Sequence, residues 1–233
     1  MNTNKPEGQS LWFISSVPSY LPDVTNVHWF IITGILAGII SLLFMALFGY
    51  TRKIFIKLPR KRIHPVFGGI LTDMILFQLP VVGGTGIDMI QNMINESLPV
   101  TFLLLLLVGK MLATSFTVAS GGSAGLVIPS LFIGAIAGNF VSAFLLADAG
   151  FNSSLVIAGM AASLASVANV PVAAAIMLVE MAGLGLGVPA TLGSIVGYAI
   201  GHSRVIYGVT HPDQWQFEET AKWRTIDAKS DCH

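Results

Sequence analysis

The chain has 233 residues, 54% of them hydrophobic and 10% charged, with a mean hydropathy of +0.76. A soluble domain carries about 25% charged residues, so most soluble classes are excluded, and the apolar content excludes disorder. Twelve basic and twelve acidic residues cancel, leaving no net field for nucleic acid, and Cys232, the only cysteine, allows neither an internal disulfide framework nor a cysteine metal cluster.

An integral membrane protein remains, and the positions of the charges support it. Between Thr101 and Ile200 only Lys110, Asp148 and Glu180 are charged. Residues Met1–Val27 are broken by prolines and polar residues and do not read as a secretory signal. The first span is Trp29–Tyr50, 22 residues without a charge, enough to cross about 30 Å of hydrocarbon. It runs into Thr51–Arg62 (TRKIFIKLPRKR), which holds six of the twelve basic residues and no acid. A short basic loop between apolar segments reads as cytoplasmic, so the span should run from outside to inside.

His64–Leu79 is a shorter helix with Pro65 at its start and Pro80 beyond its end. Val81–Gly86 (VVGGTG) reads as a glycine-rich turn and Ile87–Ile94 as a short amphipathic helix. Pro99–Ser120 gives a second long span. Gly121–Gly125 breaks the chain before an apolar helix that contains Gly134-x-x-x-Gly138, a spacing that favours close helix approach in membranes. Ser154–Asn169, Val170–Gly183 and Val188–Gly201 follow, each short and dense in Ala, Gly and Ser. Such segments are the mark of broken helices near the membrane midplane. The fold class is therefore all-α and polytopic, with a membrane domain over residues 28–215 between an N-terminal segment (1–27) and a polar tail (216–233).

The stretch with the most chemical content is Ser120–Gly138 (SGGSAGLVIPSLFIGAIAG). A glycine loop feeds a helix N-terminus, whose first amides lack intrahelical partners and carry the positive end of the macrodipole. Gly121, Gly122 and Gly125 allow close backbone approach, with Ser123 among them. Pro129 in the first turn fixes the helix start. An anion can be held there by the main-chain N–H groups of Leu126 and Val127; the competing reading is a tight inter-helix turn whose glycines serve packing alone.

These residues carry a resemblance. The segment ASGGSAGLVIPSLFIGAIAG is similar to the pattern GSGGSGG-[IVL]-F-x-P-SLFIGA of the CLC family of chloride channels and proton-coupled chloride transporters. GMAASLASVANVPVAAAIMLVEM resembles the alanine-rich run before the family's APLTGIVLVLEMT, and Val205–Gln214 resembles the start of its last helix. The resemblance spans roughly Leu11 to Gln214 and implies transport of chloride or a similar small anion through a lipid bilayer, with no cofactor. It implies that the amides of Leu126 and Val127 and the hydroxyl of Tyr207 contact the central anion. Val127 stands where the pattern has phenylalanine, which implies a less bulky pore lining. Tyr207 also reads as an interfacial aromatic anchor.

The family has two inverted halves, and this sequence matches the second. The GSGIP and GREGP motifs of the first half do not occur in it. The resemblance thus implies a missing half, supplied by a partner chain or by an antiparallel copy in a homodimer. The rival expectation is a non-transporting truncated product or an assembly and interface subunit. No Ser/His/Asp set or HExxH string points to an enzyme. Glu180 reads as a structural or dimer-interface residue. Lys110 either assists an anion or simply pairs or snorkels. Asn95-Glu96-Ser97 and Asn152-Ser153-Ser154 match the glycosylation pattern.

Overall fold

The computed structural model describes residues 26–57, 64–121 and 125–202. Its described elements are eight α-helices with two one-turn 3-10 segments, and no strand occurs among them. In chain order the helices are α1 (Val27–Lys57), α2 (His64–Gln78), α3 (Ile87–Asn95), α4 (Val100–Ala119), α5 (Val127–Leu145), α6 (Ala149–Ala168), α7 (Pro171–Ala182) and α8 (Gly187–Gly201). Among the described residues, five segments are long and apolar enough to cross a membrane: Val27–Phe55, Val100–Ala119, Val127–Leu145, Ala149–Ala168 and Leu184–Gly201. The protein is a polytopic helical membrane protein.

Two boundaries differ from the sequence expectation. The basic segment is not a loop throughout, because α1 continues through Arg52, Lys53 and Lys57. Lys, Arg, Leu and Ile are competent helix formers, no proline intervenes before Pro59, and Lys57 in the last turn complements the helix dipole. The second correction concerns α6, which was expected to be short. It begins at Ala149, five residues before Ser154, and runs 20 residues, with Asp148 in extended geometry at the N-cap position and no side-chain cap bond.

The central element is α6, and nearly all of its side chains are buried from Asn152 to Val167. It packs most extensively against α5 on one side and α8 on the other. Glycine makes both contacts possible. A Cβ on Gly134 would lie 2.6 Å from Met160 Cα, and one on Gly138 would lie 2.5 Å from Val156 Cα. The expected Gly134/Gly138 contact is therefore with α6. A second stripe, Gly193, Gly197 and Gly201, sets α8 against Ala158, Ala162 and Ser166 of α6. Backbones this close maximise dispersion contacts where lipid supplies no hydrophobic drive. Across the other side of α6, Ser41 of α1 bonds Ser163 at 2.8 Å.

The break between α6 and α7 also has a local cause. Asn169 adopts left-handed geometry (φ 61°, ψ 35°) and ends α6, a conformation Asn tolerates better than most residues. Val170 (φ −128°, ψ 74°) lies outside the helical region before Pro171, where the proline ring disfavours α geometry in the preceding residue. Pro171 then opens α7, giving the expected interrupted helix.

Candidate functional site

The start of α5 is built by three local effects. Helix α4 ends at Ser120, whose N–H donates to Phe116 O, and Gly121 leaves the helical path at φ 97°. Leu126 is the N-cap (φ −87°, ψ −12°), and no side chain caps this helix end. The first intrahelical bond runs from Ser130 N to Leu126 O at 3.1 Å. Among the described residues, the N–H groups of Leu126, Val127 and Ile128 meet no acceptor. Pro129, the third helical residue, has no N–H to satisfy. Unpaired amides at the positive end of a 19-residue helix form the electrostatic environment that favours an anion.

The predicted site residues fall as follows. Leu126 is 6% exposed and anchors the helix start among Phe44, Met45, Met111, Ile133 and Val167. Val127 is half-buried, as is Pro129, while Gly121 and Gly125 are exposed. Leu126, Val127, Gly125 and Pro129 are thus brought together at one helix end. Gly122, Ser123 and Tyr207 lie outside the described residues, as do the polar tail and residues 58–63 of the basic segment.

Lys110 is placed by the glycine turn. It lies on α4 at 3% exposure, and its Nζ donates to Val82 O at 2.9 Å and to Gly84 O at 3.1 Å. The Phe132 ring of α5 lies beneath it, 4.8 Å from Nζ to centroid. Gly84 and Gly86 have positive φ (59° and 71°), and that path turns the carbonyls toward the lysine. Lys110 therefore ties α4, the glycine turn and α5 together, and it does not snorkel. Glu180, on the last turns of α7, is exposed.

Sequence reasoning missed a second polar cluster. Asn139 Nδ2 donates to Met93 O (2.6 Å), Glu96 O (2.8 Å) and Asn152 Oδ1 (3.2 Å), and its Oδ1 accepts from Leu98 N (2.9 Å). Asn152 Nδ2 donates to Met93 O and Ile94 O, both at 2.9 Å. The two carboxamides satisfy the orphaned carbonyls at the end of α3. This corrects the reading of Asn152 as a glycosylation acceptor: it is 1% exposed and its amide is already engaged. The available signal was two asparagines in otherwise apolar helices, where a buried carboxamide needs partners. Among the described residues, no group of three His, Cys, Asp or Glu side chains could hold a metal ion.

The described helices make a polytopic membrane protein in which α5 starts, without a side-chain cap, at Leu126 and Val127. Residues 8–202 match the family model described as voltage gated chloride channel. The chain belongs to that family, as the glycine–proline segment implied. It is 34% identical over 210 residues to an uncharacterized protein of Methanocaldococcus jannaschii, covering 86% of this chain and 52% of that protein. It is 30% identical over 179 residues to the H(+)/Cl(−) exchange transporter ClcA of Vibrio vulnificus, covering 72% of this chain and 38% of that protein. The ClcA of Vibrio cholerae is 26% identical over 180 residues, again covering 38% of its length. The chain thus spans about half, or less, of the length of these curated relatives.

Proposed function

We propose that this chain forms one side of a chloride pathway, with the anion held by the N–H groups of Leu126 and Val127. The observation that carries the reading is the uncapped start of α5, whose first amides meet no acceptor among the described residues, in a chain of this family. Tyr207 Oη serves as a further donor from the segment after α8. An anion so bound needs no cationic side chain, which suits a hundred-residue stretch with three charges.

The remainder of the pathway comes from the half of the family that this sequence does not match, whether in the same polypeptide, a partner chain or a second copy in a homodimer. The relatives support this division, because the matched part covers 52% of one and 38% of the other. The basic cluster at the end of α1 and beyond faces the cytoplasm under the positive-inside rule, with the polar tail on the same side. Reconstitution with a chain carrying the missing half, in chloride-loaded vesicles, tests the proposal. Chloride efflux that depends on both chains supports it, and equal efflux without this chain overturns it.

A further inference from the structure

Lys110 and its neighbours form an arrangement that the helix start does not account for. An ammonium carries three donors, and Val82 O and Gly84 O engage two of them. Among the described residues no carboxylate reaches Lys110, and none lines the space beside it. Carbonyl dipoles and a π face offset part of the cost of a buried cation, but a membrane-embedded charge without a counter-charge remains expensive.

That space is a cavity of about 420 Å³ bounded by α2, α4, the glycine turn and the start of α5. Thr114, one helical turn after Lys110, lines it too and is 7% exposed. Thr51, Thr72, Thr117 and Thr191 return their hydroxyls to the carbonyl four residues back, the usual resource of a helical threonine. Thr114 makes no such bond, and its hydroxyl has no partner among the described residues. Gly125, Ile128 and Pro129 bring the positive end of α5 to the same cavity.

We propose that this cavity is a second anion site, occupied by a halide held between the free N–H of Lys110 and the hydroxyl of Thr114. The ligand chemistry follows from the donors: both groups donate, no acidic side chain lines the wall, and the anion supplies the charge that Lys110 lacks. The site is separate from the proposed amide site, because neither Leu126 nor Val127 lines the cavity. It rests on the chloride-pathway reading only for the choice of a halide.

Bromide, which scatters anomalously, locates the ion. In crystals of the full chain grown in millimolar bromide, a peak is expected within hydrogen-bond distance of Thr114 Oγ1 and Lys110 Nζ. Thr114→Val removes one donor while keeping shape, and should weaken bromide binding about tenfold, as loss of a hydrogen bond to a charged group does. Lys110→Met should abolish the peak; because Lys110 also holds the glycine turn, Thr114→Val is the deciding variant. A cavity holding only water, a peak that appears only at molar bromide, or bromide binding unchanged in Thr114→Val overturns the inference. A peak at the Leu126 and Val127 amides alone leaves the proposed function standing and removes this site; a peak at Thr114 alone does the reverse.

Discussion

Asn139 of α5 and Asn152 of α6 meet at 3.2 Å, and both side chains donate to the carbonyl of Met93. The pair replaces water as the partner of a helix end that lies inside the protein. Removing one member leaves α3 carbonyls unpaired in a dry environment, which costs about 1–3 kcal/mol per group. Asn152→Leu should therefore lower stability by more than about 2 kcal/mol, measured as a shifted denaturation midpoint in detergent. A midpoint within error of the wild type would show that the carbonyls find other partners.

The same geometry makes a covalent prediction. Expressed in a cell that glycosylates Asn-x-Ser/Thr sequences, the chain should carry no glycan at Asn152, as read by the mass of the tryptic peptide. The chemistry needs an exposed carboxamide, and this one is 1% exposed and donates to two carbonyls.

The glycine stripes divide into those that touch another backbone and those that face open space. A Cβ on Gly197 would sit 2.5 Å from Ala162 Cα, whereas one on Gly69 meets nothing within 4 Å. Gly197→Leu must force α8 off α6 and should cost more than about 3 kcal/mol, at the upper end of overpacking. Gly69→Leu should be tolerated, and comparison of monodisperse yield after extraction distinguishes the two.

Gly86 tests the turn that Lys110 grips. Its φ of 71° suits glycine, and a Cβ there would lie 2.7 Å from the Phe132 ring. Gly86→Ala should destabilise by about 1–2 kcal/mol from the backbone alone, with the ring contact adding to it. The check is the thermal midpoint against Gly84→Ala, which has similar φ but meets no atom within 4 Å.

Much of this architecture was legible because periodicity is replaced in membranes by hydropathy and punctuation. Pro65, Pro99 and Pro171, with the glycines at 83, 84 and 86, mark element ends that the structure reproduces to within a few residues. The end of α1 was not legible, since charge marks a membrane boundary and not a helix boundary. The partner of each glycine stripe was also hidden: Gly134-x-x-x-Gly138 says that something approaches, while only the fold shows that it is Gly159 and Met160 at Gly134 and Leu155 and Val156 at Gly138. For the candidate site, the glycine–proline pattern located the helix start at Leu126 and Val127. The Asn139–Asn152 pair and the unpartnered Thr114 depend on contacts between distant segments, which no local spacing encodes.

The proposed anion site can be tested at a single atom. Replacing Val127 by its α-hydroxy acid converts the amide N–H to an ester oxygen and leaves the isopropyl side chain in place. The helix loses no internal bond, because this N–H has no acceptor among the described residues. In vesicles containing the complementary half, anion affinity should fall about tenfold, the loss expected for one hydrogen bond to a charged group. Val127→Phe, which restores the residue of the family pattern at a half-buried position, keeps the amide and should alter relative anion permeability without that loss of affinity. Unchanged affinity in the ester variant would show that the anion does not use this amide.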